Sequence, residues 1–236
     1  MLGKAKNLPS LRTLRLAGTE QHQPDDLALR DLMSGSLRLT RLEIAAARIQ
    51  TALPELADCA LGVGLEELCL IGQHQIADQA APLLRRLGAA KGALRRLEAP
   101  RCFGNRAPET WNPSVGADLE SLTELVLDNG CAGRFFEVLA SAWFVPQITE
   151  LSLAETNVSG TQLDSVLEAD WSALERLSFR DCEALDAAVF QRVIESPIVE
   201  KLRRFDVGGC TDLRGDAIEH VPDSVATAMR AAGWPR

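Results

Sequence analysis

A short leucine motif returns eight times along this chain. Each copy has apolar residues at its first, fourth and sixth places, as in Leu11-Arg-Thr-Leu14-Arg-Leu16. Successive copies start 28, 26, 29, 28, 26, 26 and 28 residues apart. A near-constant period of this length is typical of a solenoid, in which like units stack side by side. The eight copies start at Leu11, Leu39, Leu65, Leu94, Leu122, Ile148, Leu174 and Leu202.

One copy is too small to fold by itself. It offers only about five aliphatic side chains for burial, and this gain is smaller than the conformational entropy that roughly 27 residues lose on ordering. Stability therefore has to come from contacts between neighbouring copies. The repeats run from Leu11 to about Leu213 without a linker, so we expect a single elongated domain over residues 1–236.

The places within each copy predict a strand followed by a turn. The spacing of two between the fourth and sixth places is that of a strand, so these apolar side chains point inward. Five copies carry a small polar or sulfur side chain at the ninth place, where it would bond backbone groups that the strand leaves unpaired. These residues are Thr19, Cys102, Thr156, Cys182 and Cys210.

This pattern resembles the leucine-rich repeat family, whose motif is Leu-x-x-Leu-x-Leu-x-x-Asn/Cys. Cys182 followed by Leu185, and Cys210 followed by Leu213, are similar to its long, cysteine-containing, ribonuclease-inhibitor-like subtype. The resemblance covers nearly the whole chain. It implies an α/β fold, a right-handed solenoid with about eight parallel strands on the concave face and helices on the convex face. It implies function only broadly, because the family binds very different partners.

Stretches with helical spacing follow most of the strands. Pro24 suits a helix start, because the two aspartates after it meet the positive end of the helix dipole. Leu27, Leu29 and Leu32 would then face the sheet. The predicted helices span residues 24–33, 51–60, 77–87, 134–142, 161–168 and 187–195.

The two ends of the chain differ. Residues 222–233 are typical of a capping helix that closes the solenoid, and Gly233 would end it. The first strand begins almost at once, at Leu11, and would expose unpaired backbone and core leucines. We therefore expect either a missing preceding segment or a second subunit, as in a homodimer.

Composition argues against several classes of function. The net charge of −8 disfavours nucleic acid as a partner. The sequence has no apolar run long enough for a membrane span, and its first residues lack the apolar core of a secretory signal. Three of the six cysteines occupy the ninth place of a repeat, which favours reduced thiols. We expect a cytoplasmic protein, or alternatively an effector that acts inside a host cell.

The predicted binding surface is the concave face. Strand neighbours lie about 4.8 Å apart, so Arg41, Glu67, Arg96 and Glu124 would form a ladder of alternating charge. These charges either pair mainly with each other, which is favoured, or form a patch that docks a polar protein surface. The candidate binding residues are Arg96, Glu98, Arg101, Glu124, Asp128, Glu150, Glu155 and Trp111.

Trp111 belongs to an irregular stretch, residues 103–117, which has two prolines, two glycines and no helical spacing. This loop either displays Trp111 and Arg106 to a partner or replaces a helix, with Trp111 filling the gap; the second interpretation is favoured.

Nothing in the sequence predicts catalysis, a cofactor or a metal site. Cys69 at an outward place and His74 are five residues apart, roughly 16 Å along a strand and too far for a nucleophile and its base. The chain contains no Cys-x-x-Cys. Gly62-Val-Gly64 leads into a strand and lacks the third glycine of a phosphate-binding loop.

The sequence thus predicts a non-catalytic scaffold that binds a protein or peptide through its concave face. Two alternatives remain open. The chain could be an inhibitor or immunity protein that masks a basic enzyme, or the substrate-recognition part of a larger enzyme or effector.

Overall fold

The computed structural model describes residues 10–19, 21–45, 48–49, 51–71, 77–100, 119–129, 136, 139–156, 160–182, 192–193 and 195–206. Within them the eight leucine motifs lie side by side as one parallel sheet in chain order. The protein is therefore an α/β leucine-rich-repeat solenoid, as predicted. Its strands are β1 (Thr13–Ala17), β2 (Arg41–Ala45), β3 (Glu67–Ile71), β4 (Arg96–Glu98), β5 (Glu124–Val126), β6 (Glu150–Ser152), β7 (Arg176–Ser178) and β8 (Arg204–Asp206).

In the register between neighbouring strands, each residue pairs with the residue at the same place of the next copy. The fourth-place residues Leu14 and Leu42 are partners, for example, and Leu177 is the partner of Phe205. In copies two to seven the first, fourth and sixth places are all buried, and they form one continuous core. In the first copy Leu11, Leu14 and Leu16 are only half-buried.

One backbone contact recurs at each of the seven steps between neighbouring copies. The carbonyl oxygen at the second place accepts two amides of the next copy, those of its second and third places. The oxygen of Arg12, for instance, accepts from Thr40 at 2.8 Å and from Arg41 at 3.0 Å. Over all seven steps the nitrogen–oxygen distances lie between 2.8 and 3.1 Å. Side chains alone therefore do not set the alignment of the strands.

The helical elements pack on one side of the sheet. They are α1 (Asp26–Met33), α2 (Ala60–Val63), α3 (Ala77–Ala89) and α4 (Gly160–Glu168), with 3₁₀ helices at Leu53–Asp58 and Val145–Gln147. The side chain of Asp25 caps α1 by accepting the amide of Ala28 at 3.0 Å. Apolar residues of α1, α3 and α4 belong to the same core as the strand leucines. The opposite face of the sheet is left uncovered by these helices.

Of the six predicted helices, α1, α3 and α4 confirm three to within about two residues at each end. In 134–142 and 187–195 only a few residues are described: those at 136, 139–140, 192–193 and 195 are helical. The capping helix predicted at 222–233 and the loop at 103–117 lie outside the described residues.

Two predictions on this side of the sheet are wrong. Leu27 is 73% exposed, because it lies about 200° around the helix from Leu29 and therefore on the opposite side of α1. Residues 51–60 do not form one α-helix. Cys59 is extended, with φ −128° and ψ 156°, and separates the 3₁₀ helix from the short α2.

The ninth place behaves as predicted where it is described in later copies. Thr156 and Cys182 are both buried. The Cys182 sulfur accepts the amide of Thr156 at 3.4 Å, and its thiol donates to the carbonyl of Leu153 at 3.2 Å. One side chain thereby joins two neighbouring turns. Thr19 departs from this pattern, since it is exposed and bonds locally to His22.

Each turn after β5, β6 and β7 passes through a left-handed residue at the eighth place of its copy. These residues are Asn129, Glu155 and Asp181, with φ between 53° and 56°. A positive φ is unfavourable for a side chain with a Cβ, and glycine, asparagine and aspartate tolerate it best. The sequence has Gly18, Gly72 and Gly209 at the same place of other copies.

Gly62 is required by a close backbone approach. A Cβ at this position would lie 1.8 Å from the carbonyl oxygen of Leu56, where the chain folds back from the 3₁₀ helix into α2. We expect Gly62→Ala to destabilise the protein by about 3 kcal/mol, because the backbone must move to accept the methyl group.

The control is Gly64→Ala, whose Cβ would lie 3.3 Å from the Ala60 carbonyl oxygen. It should cost less than about 1 kcal/mol. Urea unfolding of both variants measures the difference, and equal losses would contradict the role of the close approach.

Helix α3 ends in a Schellman motif with Lys91 in the left-handed position. Lys91 has φ 53°; its amide donates to Gly88 and that of Gly92 donates to Leu87, at 2.9 and 2.7 Å. Replacing Lys91 by glycine removes the cost of a Cβ at positive φ and should stabilise the fold by about 1 kcal/mol. Thermal unfolding should show a midpoint about 2–4 °C higher. Lys91→Ala keeps the Cβ, so a similar rise in that variant would rule out this cause.

Candidate functional site

The sheet face opposite the helices carries the outward side chains at the third, fifth and seventh places of each copy. We call it the open face. Because the register has no offset, residues of the same place lie in rows across the strands. The third-place row consists of Thr13, Arg41, Glu67, Arg96, Glu124, Glu150, Arg176 and Arg204.

The predicted alternating ladder is present in this row, and its charges pair with each other. Arg41 lies 2.6 Å from Glu67, and Arg96 lies 3.0 Å from Glu124. Arg95 links these two pairs; it is a second-place residue and is not among the predicted ones. It contacts Glu67 at 3.4 Å and also contacts Glu124. Mutual pairing, the favoured interpretation, therefore accounts for much of the ladder.

Among the residues that the structure describes, carboxylates nevertheless outnumber cations in the middle of the open face. Arg96 also lies 3.4 Å from Glu98 and 4.0 Å from Glu150. Burial acts to lower the pKa of Arg96, but the Glu124 hydrogen bond and the surrounding carboxylates raise it overall. We call the five carboxylates of this region the acidic centre: Glu98, Glu124, Asp128, Glu150 and Glu155. Among the described residues, the guanidinium groups that contact them are those of Arg95, Arg96 and Arg176.

Asp128 is half-buried, as are Glu98, Glu124 and Glu150 of the acidic centre. Burial raises the pKa of its carboxyl group above the ordinary value of 3.8, and the charges of Glu98 and Glu155 act in the same direction. Hydrogen bonds from the Ser152 hydroxyl, at 2.7 Å, and from the Ala154 amide, at 2.9 Å, oppose the rise. The carboxylate is therefore fixed in position but disfavoured in its charged form.

Glu155 lies at the exposed edge of this group. Its carboxylate accepts a hydrogen bond from the side-chain amide of Asn129 at 2.6 Å. The structure thus brings together six of the eight predicted residues, namely Arg96 and the acidic centre. Arg101 and Trp111 lie outside the described residues.

Cys69, which is predicted to face outward, is covered instead, and so is Val126 at the same place of the fifth copy. Cys69 is only 3% exposed, and Val126 is also buried. Cys69 lies between Glu43 and Glu98 on the flanking strands, and these longer side chains shield the shorter one. Burial and the charges of these two glutamates raise the pKa of the Cys69 thiol to about 12. The thiolate is the reactive form of cysteine, so Cys69 is a poor nucleophile at neutral pH.

A cleft of about 310 Å³ opens over β6 to β8 and shares Asp128 and Glu150 with the acidic centre. We call it the β7 cleft. Its floor consists of the small side chains of Ser152, Ala154 and Ser178. The rim residues are Asp128, Glu150, Arg176, Arg180, Arg204 and Asp206. The leucine pattern does not predict this cleft; the signal for it in the sequence is serine at the fifth place of two neighbouring copies.

Other chemistry finds no support in the part of the chain that the structure describes. None of its His, Cys, Asp and Glu side chains form a group of three or more that could hold a metal ion. None of its helices has the length and apolar character needed to cross a membrane. Cys59, Cys69 and Cys182 are free thiols.

Similarity to known proteins is found among solved structures alone. No protein-family model matches the chain, and no curated protein matches it. Among solved structures it is similar to an internalin from Listeria monocytogenes, with 14% sequence identity and a TM-score of 0.39. The match covers 87% of this chain and 57% of that chain, so the chain spans little more than half of the internalin's length.

The raised pKa of Asp128 makes a testable prediction about stability. A raised carboxyl pKa in the folded state favours folding below the ordinary value of 3.8, and this contribution is lost as the pH rises through the folded value. Asp128→Asn cannot ionise, yet its amide oxygen can still accept from Ser152 and Ala154. We expect the variant to be more stable than the native chain at about pH 7 and equal to it at about pH 3.5.

Denaturant unfolding at both pH values measures this effect. Asp170→Asn is the control, because Asp170 is exposed and lies away from the acidic centre. Loss of stability at neutral pH in Asp128→Asn would contradict the prediction.

Proposed function

We propose that this protein is a non-catalytic binding module that holds a protein or peptide partner on its open face. The observation that carries the proposal is the acidic centre: among the described residues, its five carboxylates are contacted by three guanidinium groups, those of Arg95, Arg96 and Arg176. Most of the attraction within the ladder is already satisfied internally. The surplus negative charge is what a partner with exposed lysine or arginine side chains would meet.

We further assign the repeats to the cysteine-containing, ribonuclease-inhibitor-like subtype. The support is local: Cys182 bonds the turns of two neighbouring copies through Thr156 and Leu153. Free thiols at Cys59 and Cys69 are compatible with a reducing compartment, so a cytoplasmic location is part of the proposal.

An inhibitor or immunity protein is the second candidate function. The acidic surplus favours it in one respect, since a basic enzyme cleft would be masked by this face. Such a complex would associate more slowly at high salt, because long-range attraction between the two surfaces would be screened.

An affinity capture from native lysate tests the proposed function. The bait is the full chain, compared with a variant that exchanges the charges of one open-face pair, Arg96→Glu with Glu124→Arg. The exchange keeps opposite charges at register partners on neighbouring strands and leaves the net charge unchanged, but it reverses the order of charge that a partner meets. We expect the partner's affinity to fall at least about 30-fold, the effect of losing roughly 2 kcal/mol of charge pairing.

The matched control exchanges Arg30 and Glu55, an ion pair of 2.6 Å on the helix side. Circular dichroism checks that both variants fold. A partner that survives the open-face exchange undiminished, or is lost equally in the control, would place the binding surface elsewhere.

A further inference from the structure

The β7 cleft differs from the acidic centre in its balance of charge, because its rim carries three guanidinium groups beside three carboxylates. Outward residues of β7 and the turn after it follow the order Arg176, Ser178, Arg180, so two guanidinium groups flank one small hydroxyl residue. Arg204, the register partner of Arg176, adds a third from the neighbouring strand. All three arginines line the cleft, and their side chains are 49%, 64% and 70% exposed in chain order.

Two of these arginines lie directly side by side on neighbouring strands. Like charges in this arrangement repel, so each needs a carboxylate nearby. Arg176 pairs with Glu150 at 2.7 Å, and Arg204 pairs with Asp206 at 3.3 Å. Glu150 lies in the copy before Arg176, and Asp206 lies in the same copy as Arg204. The two arginines therefore remain direct neighbours on β7 and β8.

The third arginine is paired only weakly with its surroundings in the cleft. Arg180 contacts its chain neighbour Asp181 at 3.3 Å, and both side chains are exposed. An exposed pair of this kind contributes little. Asp128, the other acid on the rim, is held by Ser152 and Ala154 at the β5 end, beside the acidic centre.

We propose that the β7 cleft binds a carboxylate side chain of the protein partner, seated over Ser178 between Arg176, Arg180 and Arg204. Arginine binds carboxylates through paired N–H donors, and such charge-assisted hydrogen bonds are about twice as strong as neutral ones. The cleft of about 310 Å³ has the volume of roughly ten water molecules, enough for an aspartate or glutamate side chain. This inference rests on the proposed function and specifies which partner group meets which end of the open face.

The consequence is a fixed direction for the partner along the solenoid. Basic groups of the partner would lie over β4 to β6, and an acidic group would lie about two strand spacings further on, roughly 10 Å away. A partner docked in the reverse direction would place its acidic group over the acidic centre and its basic groups beside the three arginines.

A direct test uses a small carboxylate probe and the full-length protein. The probe is glutamate blocked at both ends, N-acetyl-glutamate N-methylamide, with the matching blocked glutamine as its neutral counterpart. Nuclear magnetic resonance of the arginine Nε–H groups should show saturable shifts at Arg176, Arg180 and Arg204 with blocked glutamate. Blocked glutamine should leave them unchanged.

Two variants match the cleft to a control site on the same face. Arg180→Gln should weaken binding of the probe about tenfold, the effect of losing one charge-assisted contact. Arg15→Gln, at an arginine of similar exposure, 63%, which pairs with Glu43 on the far side of the sheet, should leave binding unchanged. Shifts of equal size at Arg15 and Arg180, or no saturable shift, would overturn the proposal. So would tighter binding of inorganic phosphate than of blocked glutamate.

The failure of this inference is separable from the failure of the proposed function. If the probe does not bind but the Arg96 and Glu124 exchange still abolishes capture, only the carboxylate site is wrong. If the probe binds but that exchange has no effect, the acidic centre is wrong and the cleft stands.

Discussion

The structure depends on a backbone contact that recurs between every pair of neighbouring copies. One carbonyl oxygen at the second place accepts two amides from the next copy, at 2.8–3.1 Å, through all seven steps. This contact lies next to the leucine positions in the sequence. It helps to fix the alignment of neighbouring strands in which the leucine side chains pack. Because alignment does not drift, residues of the same place form straight rows across the sheet. The charge pattern of the open face exists only because these rows are straight.

The rows explain how far sequence reasoning could go. The leucine places were sufficient to predict the strands, their order and the neighbours of Arg41, Glu67 and Glu124, because all of these follow from a constant period. The exposure of an outward side chain depends instead on the length of its neighbours on the two flanking strands. The prediction that Cys69 is exposed is therefore wrong, since Glu43 and Glu98 cover it. The β7 cleft was not predicted for a related reason. Its floor consists of small residues from two separate copies, and neither copy alone indicates a cleft.

Away from the strands, the period predicted less. The connecting segments are not equivalent: α3 spans 13 residues, whereas the segment after β2 is divided between a 3₁₀ helix and a single turn of α-helix. Local chemistry decides each case. Cys59 takes an extended conformation there, and Gly62 allows a backbone approach that any side chain would block. The sequence shows a glycine at position 62. The close approach of its backbone to the carbonyl oxygen of Leu56, which makes glycine necessary there, is visible only in the structure.

The equal alignment of all copies bears on how such a protein could evolve. Removing or duplicating one whole copy would leave every second-place carbonyl facing the same two amides, so the remaining interfaces would need no adjustment. The length of the open face is thus free to change in whole units. Its specificity is free to change separately, at the residues between the leucines, and size and selectivity can therefore be inherited as independent traits.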